Sequence, residues 1–99
     1  MKPLFIPLKT EYYRAFENGT KPAEYRPYGK RWNEQSCYLG RPVVLARGYS
    51  TPDRLNGRII GFSRTKPCDL PSDKVRADWV ACYGSERSDV AAIVIEVIR

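Results

Sequence analysis

Pro42-Val43-Val44-Leu45-Ala46-Arg47-Gly48-Tyr49 is the stretch that decides the fold class. Its uninterrupted run Val43-Val44-Leu45-Ala46, opened by a proline and closed by a glycine, reads as a strand covered on both faces. Upstream, Leu4, Ile6 and Leu8 alternate with Phe5 and Pro7, which predicts an opening strand with proline near each end, as sheet edges allow. Downstream, Asn56-Gly57 predicts a turn into a strand over Arg58–Thr65 with Ile60 and Phe62 on one face. The alternation of Ile93, Ile95 and Val97 with Val94, Glu96 and Ile98 marks a closing strand over Ala91–Ile98. Pro22–Pro27 makes a fifth, with Glu24 and Arg26 on one face and Ala23 and Tyr25 on the other.

Two short helices interrupt these strands. Thr10 is placed to cap a helix over Glu11–Asn18, whose Tyr12, Tyr13 and Phe16 form an apolar stripe and whose stop is Asn18-Gly19. Ser72 or Asp73 opens the second, with Val75, Trp79, Cys82 and Tyr83 on one stripe, and Gly84 ends it. Both stripes must dock on a sheet, because a few turns of helix are not stable alone. Residues 28–40 read as an irregular loop with one helical turn around Arg31–Gln35. Five strands, two or three short helices and no repeated strand-helix-strand unit predict an α+β fold, a small mixed β-barrel, as a single domain over residues 1–99.

With 99 residues, 42% of them hydrophobic and 28% charged, the chain suits one globular core and neither a disordered segment nor a membrane span. The opening apolar run reaches Lys9 before it forms the centre of a secretory signal, so the expected location is cytoplasmic. The absence of histidine excludes imidazole ligands, imidazole bases and histidine-activated nucleophiles. The three cysteines stand in no C-x-x-C pair and are expected as small buried hydrophobes, Cys37 excepted because its loop is irregular; no metal or cofactor is expected. The formal charge is +6, and residues 1–50 carry nine Lys or Arg against four Glu, or +5 of it. Such a field attracts anions, and nucleotides or nucleic acid are the natural partners.

Chemistry concentrates in Gly19-Thr20-Lys21-Pro22-Ala23-Glu24-Tyr25-Arg26 and the residues after it. A glycine turn launches a strand, so Lys21 projects from its start and Glu24 and Arg26 point the same way two residues apart. Arg26, Lys30 and Arg31 are candidates for phosphate contacts, and Tyr25, Tyr28 and Trp32 for stacking on unpaired bases. The bland alternatives are a solvated salt bridge for the first group and a buried roof over the barrel for Tyr28 and Trp32. Arg47 and Arg64 join the site if their strands neighbour the motif strand. Trp79, on a helical stripe, is expected in the core.

Gly19, Lys21, Glu24 and Arg26 reproduce a G-x-K-x-x-E-x-R signature, and in this the chain resembles the ASCH domain family of PUA-like, RNA-associated domains. The order of an opening strand, a short helix, the motif, the Leu39-Gly40-Arg41-Pro42-Val43-Val44 entry to a barrel strand and a closing strand fits over nearly the whole chain. The resemblance implies a PUA-like barrel whose cleft, near the motif, accommodates single-stranded RNA, a nucleotide or a modified nucleoside. It also implies an alternative of another class, since some similar domains are amidohydrolases on acetylated cytidine and others are described as ribonucleases. In the amidohydrolase type the motif lysine works with a threonine three residues on and a later glutamate. Lys21 matches the lysine, Glu24 stands in place of the threonine, and Asp69, Asp73, Asp78, Glu86 and Asp89 are candidates for the later acid. On that alternative Lys21 and Glu24 form the acid/base pair of a histidine-free site. A third reading is an accessory protein that binds another protein through Trp32 and its loop.

Overall fold

The computed structural model describes residues 2–84 and 89–98. The chain runs β1 (Leu4–Leu8), α1 (Thr10–Glu17), β2 (Ala23–Pro27), β3 (Pro42–Arg47), β4 (Arg54–Thr65), a 3-10 turn (Pro67–Asp69), α2 (Asp73–Tyr83) and β5 (Val90–Ile98). The five strands form one mixed sheet in the order β1-β3-β4-β5-β2, curled into a half-barrel that the two helices flank. Among the described residues only the β1–β3 pair is parallel. The prolines fall where a ladder tolerates a missing donor: Pro7 in edge strand β1, Pro27 at the end of edge strand β2, Pro42 first in β3. No helix among the described residues is long and apolar enough to cross a membrane.

Side chains that alternate inward make the main core: Ile6 of β1, Val43 and Leu45 of β3, Ile59 of β4, and Ile93 and Ile95 of β5. Tyr13 and Phe16 bring α1 onto this inner face, and Trp32 and Cys37 seal it from the 28–40 loop. A second cluster of Leu70, Trp79 and Val90, with Tyr25 and Val75 against it, holds α2. Ser72 caps α2 by accepting from the Val75 amide at 3.1 Å, and Gly84 ends it. Trp79 is 3% exposed and meets the Tyr83 ring in a tilted contact at 4.4 Å, so it belongs to the core, as its spacing predicts.

Several local expectations are corrected. Thr10 lies inside α1; the residue before it, Lys9, takes the cap position and offers no side-chain bond. The single helical turn expected around Arg31–Gln35 falls two residues later, where the Cys37 amide donates to the Asn33 carbonyl at 2.8 Å and the Asn33 side chain accepts from the Gln35 and Ser36 amides. Asn56-Gly57 is not a turn. It lies within the twelve-residue β4, and the chain reverses earlier, between Arg47 and Arg54. The glycine serves close approach: a Cβ there would stand 2.7 Å from the Glu96 carbonyl oxygen of β5. Beyond it, two steps along β4, from Ile59 to Gly61, match one along β5, from Ile95 to Val94, a bulge that exposes Ile60 and leaves Ile59 in the core. Of the cysteines only Cys37 is buried; Cys68 and Cys82 are exposed.

Two substitutions test this packing. Gly57→Ala must shift β5 backbone and should lose about 1–3 kcal/mol, read as a fall in Tm of roughly 4–8 °C for each kcal/mol. Trp79→Ala should lose about 3–5 kcal/mol in denaturant unfolding, and a loss below about 1 kcal/mol would remove α2 from the core.

Candidate functional site

The curl brings the two free edges of the sheet together, and the motif sits on that seam. Gly19, at φ 82°, turns the chain out of α1, and the Thr20 and Lys21 amides both donate to the Ala15 carbonyl. Lys21 is thereby fixed just before β2. Glu24 and Arg26 follow on one face of β2, as the alternation predicts, and that face is the inner one, opposite Ile93 and Ala91 of β5. Glu24 is 6% exposed. Its Oε1 accepts from the Tyr25 amide at 3.2 Å and lies 3.9 Å from Lys21 Nζ, while its Oε2 accepts from Arg26 Nε at 3.0 Å. The same guanidinium donates across the seam to the Pro7 carbonyl of β1 at 2.6 Å and lies over the Trp32 ring at 5.0 Å.

Beside this triad opens a cleft of about 240 Å3. The end of β1, the start of α1, β2 and one face of α2 wall it. Lys21 Nζ stands among three rings, 5.2 Å from Tyr12, 5.8 Å from Phe16 and 5.2 Å from Tyr25. Burial holds its pKa below the ordinary lysine value; Glu24 and Asp78 oppose that shift, and Lys74 and Arg26 reinforce it. The Tyr12 hydroxyl is pushed up to about 12, by burial first and by Asp78 next, so at neutral pH it is a phenol with a proton to donate. Burial also raises Tyr25 and Tyr83. At the rim Lys9 Nζ lies 3.4 Å from Cys82 Sγ. The cleft thus offers a caged amine, a buried carboxylate, a phenol donor and aromatic walls. No group of three or more metal-binding side chains occurs among the described residues.

The curled sheet has a solved counterpart. The crystal structure of hypothetical protein PH0355 superposes with a TM-score of 0.70 over 98% of this chain and 100% of that one, at 20% identity. Similarity at that level concerns the fold alone. No family model matches the chain, and no curated protein matches it.

Of the residues singled out by sequence, Lys21, Glu24 and Arg26 meet at the cleft, with Tyr25 beside them. Tyr28, Lys30, Arg31, Trp32, Arg47 and Arg64 do not line it. Trp32 is a buried roof rather than an open platform, with Arg26 and Arg31 each 5.0 Å from its ring. Tyr28 bonds Glu34 and lies beneath the Arg64 guanidinium, 4.1 Å away, which is itself paired with Asp89 at 2.7 Å. Lys30 and Arg31 are exposed on the loop. Neither β3 nor β4 neighbours β2, because β5 takes that place, and Arg47 is tied to Asp53 at 2.7 Å in the β3–β4 turn. Among the candidate acids Asp78 reaches the cleft and Asp89 is held by Arg64; Glu86 lies outside the described residues. Sequence reading missed Lys9, Tyr12, Cys82 and Tyr83 as cleft residues. Both helical stripes read as core-facing, and no local signal marks these residues as lining a cleft.

Two measurements test this geometry. In a carbon-detected titration of the lysine side chains, Lys21 should titrate below the exposed lysines, and Glu24→Gln should lower it further, since the lost carboxylate was opposing the shift. Glu24→Gln should also lose about 1–3 kcal/mol of stability by weakening the hold on Arg26.

Proposed function

We propose that this chain is an ASCH-type, PUA-like domain that binds a nucleotide, free or within single-stranded RNA, with one base-and-sugar unit in the seam cleft. One observation carries the reading: a half-buried donor, Lys21, and a buried acceptor, Glu24, stand side by side at the floor of a cleft walled by aromatic rings. Rings offer stacking surface to any planar base, and a donor beside an acceptor reads a hydrogen-bonding edge. The volume, small against the roughly 300–1,000 Å3 of drug-sized pockets, suits a single unit rather than a length of strand. Arg26, already engaged by Glu24 and Pro7, braces the site, which leaves Lys21 and Lys9 as the cations facing a ligand.

The alternative, a hydrolase acting on a modified nucleoside such as an acylated cytidine, or on RNA, is favoured by the depressed Lys21 pKa beside Glu24 and Asp78. An amine brought nearer to neutrality is a better proton shuttle, and Glu24 at 3.9 Å is placed to exchange with it.

Lys21→Ala separates the two. If the cleft only binds, affinity for ribonucleoside monophosphates, measured by calorimetry, should fall by about 1 kcal/mol or a little more. If it hydrolyses, product release from acylated nucleosides or short RNAs should fall a hundredfold or more, and Glu24→Gln should abolish it with binding largely kept. No binding of any monophosphate by the wild-type protein would remove the proposal.

A further inference from the structure

The outer face of the half-barrel carries an aromatic stack that the core does not explain. Tyr49, in the turn between β3 and β4, is 81% exposed. Its ring lies on Phe5 of β1, with centroids 6.0 Å apart and planes inclined by 26°. The Arg54 guanidinium stands 5.2 Å from the Phe5 centroid. Arg54 Nε donates to the Ser50 carbonyl at 3.3 Å, and no carboxylate among the described residues forms an ion pair with it. Arg47 is neutralised by Asp53 next to it, which leaves Arg54 as the net positive charge of the patch. An open ring held in place from beneath, with an unneutralised guanidinium at its side, suits a planar group that carries an anion.

The patch adjoins the cleft along β1. Phe5 and Pro7 alternate with the core-facing Leu4, Ile6 and Leu8, so they share the outer face and stand about 7 Å apart along the strand. Pro7 also lines the cleft. The register sets Pro7 beside Ala46 and Ala46 beside Arg54, so one row runs from the cleft rim to the guanidinium. We infer that Tyr49, Phe5 and Arg54 form a second subsite for single-stranded nucleic acid. The nucleotide flanking the one in the cleft stacks its base on Tyr49, and Arg54 meets the phosphate between the two. The inference rests on the cleft taking a nucleotide, and it makes a strand, rather than a free nucleotide, the preferred ligand.

The test compares ribonucleoside 5′-monophosphates with short homo-oligoribonucleotides of uridine, adenosine and cytidine on wild-type, Tyr49→Ala and Tyr49→Trp proteins. Wild type should bind the oligonucleotides more tightly than the monophosphates. Tyr49→Ala, exposed and so expected to keep the wild-type Tm, should weaken oligonucleotide binding about fivefold or more, the small end of what one stacked base contributes, and leave monophosphate binding unchanged. Tyr49→Trp should restore it, because stacking needs a ring and not a hydroxyl. Oligonucleotide binding that ignores Tyr49→Ala, or that never exceeds monophosphate binding, overturns the subsite and leaves the cleft reading standing. Oligonucleotide binding that depends on Tyr49 while no monophosphate binds overturns the cleft reading and keeps the patch. Binding of neither class overturns both.

Discussion

Among the described residues Glu24 is the charged side chain buried in this small core, and the geometry of the seam hangs on how its carboxylate is shared. One oxygen accepts from the backbone of its own strand and faces Lys21, and the other holds Arg26. A carboxylate taken out of water needs such partners, since an unpaired buried charge costs several kcal/mol. With Glu24 in place, Arg26 is aimed at the Pro7 carbonyl and links the first strand of the sheet to the last in spatial order. The motif is therefore a structural latch before it is a site. The residues that close the half-barrel are the ones that fix the amine at the floor of the cleft.

The cleft exists because the protein has two apolar clusters rather than one. The larger fills the concave face under α1 and the 28–40 loop, and the smaller holds α2 against the other side of β2 and β5. Between them α2 stands away from β1 and α1, and the gap is lined by residues that belong half to each cluster: Tyr12 on one side, Trp79 and Tyr83 on the other. Lys21 lies in that gap, half-buried among rings, and the partial loss of water lowers its affinity for a proton. A charge-poor wall around a few polar groups is also what gives hydrogen bonds to a ligand their weight.

Much was legible in the amino-acid sequence. Alternation marked β1, β2 and β5, an uninterrupted apolar run marked β3, and the pleat grouped Leu4, Ile6 and Leu8 on one face of β1 and Ile93 and Ile95 on one face of β5, while the inward face of β2 stayed open. The helical stripes located α1 and α2, and capping chemistry narrowed the start of α2 to Ser72 or Asp73, of which Ser72 is the cap. The grouping of Lys21, Glu24 and Arg26 also followed from local geometry, since a glycine turn and two alternate strand positions fix their relation within eight residues.

What tertiary structure decided lies where two distant segments meet. Asn56-Gly57 carries the local signature of a turn, yet contact with the Glu96 carbonyl of β5 makes the glycine a packing requirement within a long strand, and no local pattern distinguishes the two uses. Strand order, which excluded Arg47 and Arg64 from the cleft, depends on which edges pair, a choice set by the whole sheet. Trp32 and Tyr28 look alike beside lysines and arginines in one loop, and only the covering of the concave face buries the first and leaves the second half-open. The far wall of the cleft, with Asp78 and Tyr83, comes from a helix more than fifty residues downstream of the motif. Periodicity assigns such residues to a face of their helix; which element that face meets is fixed by how the chain as a whole divides its apolar surface between two cores.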